Sequence, residues 1–306
     1  MAGQIQKEGP YGRSPTRKRL DESQSQTKRQ KRQAVEGSGM VIGLFVKPAP
    51  KAEMRSMKVL ELASNGILGD ASARELTPRQ VLLVDEECLL TLGFARGDLR
   101  ENIVLRGFNV QGLKSGTTLR IGNDVNLRIT FECEPCAVVI ARLRQPAPRI
   151  KVKDLNGARG MLATVSRGGI IREGDSVHVV QDCLYEELHA DVKGRVCWLL
   201  AKVPPGKVVT YTDILALVGA PTCYARALPR MLKSGISKDH SDTSANSLPI
   251  HRIVDSSGAL IEKHVPWQSK LLGEEGIKTD EKNRVDLTVH RWVPPSGASL
   301  YLQPVG

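Results

Sequence analysis

Two short stretches of the sequence hold residues whose types could do chemistry. Cys133 and Cys136 form a C-x-x-C pair, and a thiolate in such a pair can carry sulfur or ligate a metal. No second cysteine pair completes a zinc site, so the six cysteines are expected to be reduced thiols. The second stretch sets His251 and Arg252 into a β-branched run. Ile250 precedes them, and an aliphatic side chain has no lone pair with which to attack carbon.

Sequence signals upstream of the His–Arg pair predict a helix-turn-helix. Thr210, with Asp213 three residues on, forms a capping-box pattern that begins the first helix. Gly219 ends that helix, and Pro221, a residue favoured at helix starts, begins the second one after a tight turn. This order of helix, turn and helix is an arrangement that DNA-binding proteins use.

The predicted second helix has an apolar face and a basic face. The apolar face holds Ala225, Leu228 and Leu232. The basic face holds Arg226, Arg230 and Lys233. Pro229 lacks a backbone donor and is expected to kink the last turn of this helix. A basic stripe of this kind is typical of a DNA-binding helix, and it is also typical of an ordinary solvated face.

In this order, residues 190–295 resemble the C-terminal DNA-binding domain of the O6-alkylguanine-DNA alkyltransferases. The matching phrases are PPGKVVTY (204–211), LVGAP (217–221) and YAR (224–226), followed by the His–Arg run. Those enzymes carry Pro-Cys-His-Arg where this chain has Pro-Ile-His-Arg (249–252), and their cysteine accepts the alkyl group. The closer resemblance is therefore to the alkyltransferase-like proteins, which bind alkylated guanine without repairing it.

The resemblance implies roles for the residues that would touch DNA. Tyr211 would contact the phosphate 3′ to the lesion and help to rotate the nucleotide out of the helix. Arg226 would fill the vacated space, where a planar cation can stack and hydrogen-bond at once. Base extrusion costs a few kcal/mol, and less for a damaged pair. The predicted DNA-binding residues are Thr210, Tyr211, Tyr224, Arg226, Arg230 and Lys233.

The resemblance also implies a pocket for the flipped O6-alkylguanine. Residues 258–261 would form an arm over the base, and Lys263 would place a cation near the guanine ring. Without a thiol to activate, His251 and Glu275 are expected to be a structural hydrogen-bonded pair. The predicted pocket residues are Pro249, Ile250, His251, Arg252, Ile253, Gly258, Lys263 and Glu275.

Other residues near this pocket carry structural expectations. Trp267 and Trp292 are expected to pack in the core. Cys197 lies in an apolar helix and Cys223 at the start of the second helix, and neither is expected to take over alkyl transfer.

The N-terminal half is rich in short apolar runs separated by Gly, Asp and Asn turns, a pattern that predicts an antiparallel, barrel-like β domain. The runs are residues 40–46, 81–84, 103–105, 118–121, 127–131, 137–140 and 177–180.

Phrases within residues 40–180 resemble, in order, the MOSC domain, named for the C-terminal part of molybdenum cofactor sulfurases. They are GILGD (66–70), GDLRENI (97–103), CEPC (133–136), GARG (157–160) and GDSV (174–177).

That resemblance implies sulfur or molybdenum-cofactor handling through one cysteine, Cys136. Its thiolate would carry a persulfide or ligate molybdenum once its pKa is lowered, and Arg142, Arg144 and Arg159 are candidates to supply the positive field. The alternative is that Cys136 is a structural thiol in a scaffold that no longer reacts. No metal site is assigned beyond this cysteine.

Residues 1–38 hold nine Lys or Arg, four Asp or Glu and almost no large apolar side chains, so this tail is expected to be disordered. Its basic clusters at 17–19 and 28–32 fit a nuclear-import signal, a phosphate-binding arm or a plain solvated tail. The formal net charge of +11 favours a nucleic-acid partner, although the tail carries much of the excess.

The sequence as a whole predicts a multidomain α+β protein. A disordered basic tail (1–38) precedes a barrel-like MOSC domain (40–180), an acidic linker (181–192) and a winged helix-turn-helix alkyltransferase-like domain (193–295). No apolar run approaches the ~18 residues of a membrane span, so we expect no membrane partner and a soluble intracellular protein.

Three functions remain open at this point. The first is a non-enzymatic sensor that flips O6-alkylguanine in double-stranded DNA and flags it for nucleotide excision repair. The second is a sulfur- or molybdenum-cofactor-handling protein whose C-terminal half only localises it to DNA. The third is a scaffold in which both halves are binding modules.

Overall fold

The computed structural model describes residues 38–135, 139, 141, 150–180, 185–233, 248–295 and 300–303. The basic clusters at 17–19 and 28–32 lie outside the described residues, as do Cys136, Arg142, Arg144 and nearly all of the predicted run 137–140. The side chains of residues 222, 223 and 233 are likewise outside the description.

The N-terminal half is a closed β-barrel with a small side sheet. Its strands are β1 (Gly39–Val46), β2 (Arg55–Met57), β3 (Val59–Ala63), β4 (Gly66–Ile67), β5 (Val81–Asp85), β6 (Ile103–Arg106), β7 (Thr118–Ile121), β8 (Val125–Glu132), β9 (Met161–Arg167), β10 (Gly169–Arg172) and β11 (Ser176–Val180). The ring runs β11-β7-β8-β9-β5-β6-β1 and closes where β1 pairs with β11. Strand β2 extends β1, and β10-β3-β4 form the side sheet. The predicted barrel is confirmed.

One pair of barrel strands departs from the antiparallel expectation. Strands β5 and β6 run parallel, with Leu83 opposite Ile103. A parallel pair needs a crossover, and helix α1 (Glu86–Leu92) supplies it. Asp85 caps α1 by accepting a hydrogen bond from the Cys88 amide, and Gly93 ends it in the left-handed region.

Strand β5 is buried on both faces. Leu83 points into the barrel, where it packs with Ile103 and Leu105. Leu82 and Val84 point the other way, into a second apolar cluster. Because successive side chains of a strand alternate between faces, an unbroken apolar run such as VLLV is what a strand covered on both sides requires.

The C-terminal half is mainly helical. It contains α2 (Val192–Leu200), β12 (Val209–Thr210), α3 (Tyr211–Leu217), a 3-10 helix (Thr222–Arg226), α4 (Leu228–Lys233), a second 3-10 helix (Ile250–Arg252), β13 (Ile253–Val254), α5 (Gln268–Glu274) and α6 (Leu287–His290). Strands β12 and β13 pair in parallel, which sets the start of α3 beside the residues that follow the His–Arg pair. Among the described helices, none is both long enough and apolar enough to cross a membrane.

The single second helix predicted from Pro221 is in fact two segments. The first is the 3-10 helix that ends at Arg226, and α4 begins anew at Leu228. Pro229 therefore lies in the first turn of α4, where a missing N–H costs nothing, and the predicted kink in the last turn is wrong. The change of helix type also turns Ala225 outward to solvent, whereas Leu228 and Leu232 are buried as predicted.

The two halves share one hydrophobic core. Phe131 and Leu82 of the barrel belong to the same buried cluster as Val196 and Leu199 of α2. The predicted linker joins this cluster through Leu188, and the Tyr185 amide donates to the Gly116 carbonyl of the barrel at 2.9 Å. The described part of the connecting segment is thus packed against the barrel.

We predict that a cavity in this shared core destabilises both halves together. Leu199→Ala is expected to lower the free energy of unfolding by about 2–5 kcal/mol, because a buried leucine loses both transfer energy and packing. Amide exchange of barrel strands and tryptophan fluorescence, recorded against denaturant, should shift to the same midpoint. Leu90→Ala is the matched control, since Leu90 is 72% exposed. A shift in the fluorescence transition alone would contradict a common core.

Candidate nucleic-acid interface

Glu275 is the hub of the predicted pocket. Its carboxylate accepts hydrogen bonds from Arg252 Nε at 2.9 Å and Arg252 Nη2 at 2.6 Å, and from the Gly206 amide at 3.0 Å. The predicted contact with His251 is present, with Nε2 at 2.7 Å from Oε1. Arg252 also donates to the Val203 carbonyl at 2.5 Å. The His–Arg pair is therefore locked to the end of α5 and to the turn before β12.

The charges around this hub compensate one another. Burial opposes ionisation of Glu275, but hydrogen bonds from Arg252 and His251 outweigh it and hold the pKa of the carboxyl below its ordinary value of 4.5. A half-buried carboxylate with a bidentate arginine partner is a rigid arrangement. The side chains of His251, Arg252 and Glu275 thus form one connected polar network next to Ile250 in the chain.

Gln268 is a pocket residue that the sequence did not indicate. Its side chain is fully buried, and its amide donates to the carbonyls of His251 at 2.9 Å and Ile253 at 2.6 Å. Its Oε1 accepts from the Ile261 amide at 2.6 Å. The Gln268 side chain thus links the backbone of residues 251 and 253 to the backbone of residue 261. These three backbone groups come together only in the tertiary fold, so the sequence gives no sign of them.

Ile250 lies in the second 3-10 helix, capped by Pro249, and packs half-buried against the shared core. It lines a small apolar depression together with Cys197 and Met231. Burial raises the pKa of the Cys197 thiol, which disfavours the nucleophilic thiolate. Although Cys197 faces the same depression as Ile250, its environment does not suit alkyl transfer.

Thr210 and Tyr211 begin α3. Thr210 is buried, and its hydroxyl donates to Asp213 at 2.8 Å within the predicted capping box. Asp213 is held in turn by Arg291 at 2.5 Å. The Tyr211 hydroxyl is shielded from solvent and has no hydrogen-bond partner in the described part of the chain. Burial, with a smaller contribution from the charge of Asp255, raises the pKa of Tyr211 to about 12.

The predicted basic residues lie on the segments after α3. Arg226 ends the 3-10 helix and Arg230 lies in α4, and both are exposed. Tyr224 is half-buried against the shared core. Lys233 is the last residue of α4. The geometry therefore leaves the two described guanidinium groups available to a ligand, while Tyr224 contributes mainly packing.

Residues 258–267 are the second segment of the chain that the sequence predicted to line the pocket. Gly258 has a φ of +83°, and a Cβ there would collide with the Val285 carbonyl, so only glycine fits. Lys263 is exposed. Trp267 is 60% exposed at a φ of +61°, so the expectation that it packs in the core is wrong, whereas Trp292 is buried as predicted. Trp267 is the residue immediately before α5, and its ring lies on the surface there.

The barrel has a cationic cavity of about 180 Å³. Its charged lining residues are Lys47, Asp70, Arg79, Arg100 and Arg159, and Cys133 also faces it. Asp70 is already held by the Lys47 amide at 2.8 Å and the Ser72 amide at 2.7 Å. Arg159 is 6% exposed, and its Nε has no partner among the described residues. These groups suit an anionic ligand. Within the described ranges, no cluster of His, Cys, Asp or Glu could hold a metal ion.

Comparisons with known proteins match the two halves of the chain to two different families. Residues 74–178 match the MOSC domain family, and residues 191–277 match the 6-O-methylguanine DNA methyltransferase, DNA binding domain. The DNA base-flipping protein of Escherichia coli is 31% identical over 100 residues, which cover 32% of this chain and 71% of that protein. Alkyltransferase-like protein 1 of Schizosaccharomyces pombe is 27% identical over 117 residues, which cover 36% of this chain and 97% of that protein.

Among solved structures, the chain is similar to S. pombe Atl1 in complex with damaged DNA containing O6-carboxymethylguanine. The identity is 27% and the TM-score 0.28, over 34% of this chain and 95% of that one.

We predict that Glu275→Gln lowers the free energy of unfolding at pH 7 by about 2–3 kcal/mol, because Arg252 loses its carboxylate partner. The pKa of Glu275 is depressed by folding, so its contribution is complete above the unfolded value of 4.5 and is lost as pH falls through the folded value. The deficit should therefore shrink in acid. Chemical denaturation across pH measures it, with exposed Glu274→Gln as control. A deficit that stays constant with pH would contradict the assignment.

Proposed function

The chain belongs to the alkyltransferase-like family through its C-terminal half, and on that premise we propose that it recognises O6-alkylguanine in duplex DNA. It flips the damaged nucleotide, holds it and flags the site for nucleotide excision repair, without transferring the alkyl group. The observation that carries this proposal is the intact frame of His251, Arg252 and Glu275 around Ile250. This frame would support a lesion pocket, and Ile250 offers no group that could attack the alkyl carbon.

The position of Arg226 supports the flipping step. It is exposed at the end of the 3-10 helix that follows α3, the helix that Tyr211 begins. A planar guanidinium there can stack in the gap and hydrogen-bond with the orphaned base. Arg230 is also exposed but lies in the next helix, where a phosphate contact is the simpler role. The E. coli relative carries the name DNA base-flipping protein, which supports a flipping step.

The proposal is tested by binding of the full chain to a short duplex with and without one O6-methylguanine, at ~0.15 M salt, followed by mass spectrometry. We expect tighter binding to the modified duplex and an unchanged protein mass. Arg226→Ala should reduce the preference for the lesion by about tenfold. A gain of one methyl group would show that a cysteine reacts, and equal binding of both duplexes would leave only non-specific electrostatic attraction.

Arg230→Ala is the matched control, because it removes the same charge from an exposed site nearby. It should weaken binding of both duplexes by a similar factor. If Arg226→Ala behaves in the same way, Arg226 contacts only phosphate.

A second candidate function concerns the barrel, and its cationic cavity is the observation that favours it. Cys133 faces the cavity and accepts a hydrogen bond from Arg79 at 3.5 Å, and Cys136 follows three residues later. Positive charge of this kind suits an anionic ligand. We therefore propose that Cys136 can carry persulfide sulfur or ligate molybdenum held in a cofactor.

The purified chain is expected to contain sulfane sulfur or molybdenum that disappears in Cys136→Ser and remains in Cys133→Ser. Elemental analysis and a persulfide-specific label measure the two. Protein that carries neither, even when prepared without reductant and with molybdate supplied, would assign the barrel a scaffolding role.

A further inference from the structure

A side chain of the barrel reaches into the DNA-binding half. Arg79 lies just before β5, and its Nη1 donates to Glu134 Oε2 at 2.5 Å and to the carbonyl of Gly219 at 3.1 Å. Gly219 directly follows the end of α3 and has a φ of +63°. A Cβ at this position would lie 2.9 Å from side-chain atoms of both Pro78 and Arg79. The turn after α3 is therefore seated closely on the barrel.

A second guanidinium, from the helical half, binds the other side of the same carboxylate. Arg195 of α2 is 1% exposed and donates to Glu134 Oε1 at 2.7 Å. Its Nε donates to the carbonyl of Val218 at 2.9 Å, and its guanidinium lies 3.6 Å from the ring centroid of Phe131. Glu134 thus joins one arginine of each half.

The two arginines satisfy backbone groups that a helix leaves without partners. The last carbonyls of an α-helix have no amide ahead of them, and cationic side chains commonly bind them. Here the carbonyls of Val218 and Gly219 each receive a guanidinium N–H, one from each half of the protein. Burial opposes ionisation of Glu134, but the charge of Arg79 and its hydrogen bond hold the pKa of that carboxyl below its ordinary value.

This turn connects the two elements that carry the proposed flipping residues. Tyr211 begins α3, and the chain passes from α3 through residues 218–221 into the 3-10 helix that ends at Arg226. A shift of the turn would rotate the 3-10 helix relative to α3. Because flipping requires insertion of one side chain while another displaces the backbone, small displacements of this kind reduce it strongly.

We propose that Arg79 is a positioning residue for nucleotide flipping. By holding the Gly219 carbonyl while bound to Glu134, the barrel fixes the turn that sets Arg226 against Tyr211. The barrel is then part of the DNA-reading unit, and this inference rests on the function proposed above.

The test compares Arg79→Lys and Arg79→Gln in the full chain. Lysine keeps the charge beside Glu134, but a single ammonium on a flexible stem cannot reproduce the forked contact with both the carboxylate and the carbonyl. Lysine therefore separates positioning from simple charge neutralisation. Arg106→Gln is the matched control, since Arg106 also lies in the barrel and pairs with a glutamate, Glu86, at 2.6 Å.

Three measurements are needed. The first is amide exchange of Gly219 and Ala220 without DNA, the second is the affinity ratio for O6-methylguanine and plain duplexes, and the third is the fluorescence of 2-aminopurine beside the lesion. For Arg79→Lys we expect faster exchange in the turn and an affinity ratio lower by about tenfold, with plain-duplex affinity within about twofold of the wild type. The 2-aminopurine signal should fall with the ratio, and the melting temperature should change little.

The outcomes separate this inference from the proposed function. Wild-type protein that prefers the lesion, with Arg79→Lys retaining both the affinity ratio and the slow exchange, would overturn the positioning role alone. Wild-type protein without any preference would overturn the proposed function, and the positioning role with it. If Arg79→Gln does not fold, Arg79→Lys still decides the matter, and a change in Arg106→Gln equal to that in Arg79→Lys would also overturn the inference.

Discussion

Burial of β5 on both faces is the constraint on which the rest of the structure depends. Leu83 packs inside the barrel while Leu82 and Val84 pack outside it, against residues that join the core of the helical half. Apolar surface of this kind cannot be left to water without a large loss of stability. The helical half therefore covers a barrel wall that would otherwise be exposed, and the connecting segment contributes Leu188 to the same contact.

The residues of the predicted pocket are held in place by a network of polar contacts. Glu275 is bound by the side chains of Arg252 and His251 and by the Gly206 amide, so removal of either side chain would leave a half-buried polar group without its partner. The Ile250 side chain makes no polar contact of this kind and packs half-buried against the shared core. A substitution at position 250 is therefore expected to disturb the polar network less than a substitution of Glu275.

The sequence predicted those parts of the fold whose signals are local. Short apolar runs located six of the barrel strands but missed β9, and the capping box at Thr210 located the start of α3. It mistook the segment after Pro221 for one helix, because the choice between helix types depends on how Tyr224 and Leu228 pack. Trp267 was misplaced for a related reason, since its exposure follows from a left-handed backbone that apolarity does not reveal.

Several residues of the candidate site carry no local signal at all. Gln268 and Arg195 are polar side chains within ordinary helical segments, and their burial becomes understandable only when distant carbonyls converge on them. The link between Arg79 and Gly219 joins positions 140 residues apart. Contacts of this kind depend on the packing of one half against the other, which neither half specifies by itself.

Because the two halves share one core, unfolding of one half is expected to be visible in a signal from the other. All three tryptophans, at positions 198, 267 and 292, lie in the helical half, and the barrel has none. A molecule that binds only the folded state stabilises the whole cooperative unit by mass action. Any compound that occupies the barrel cavity would therefore delay the loss of tryptophan fluorescence on heating, although no tryptophan touches it. Ligands of the barrel can be sought through an optical signal that arises entirely in the DNA-binding half.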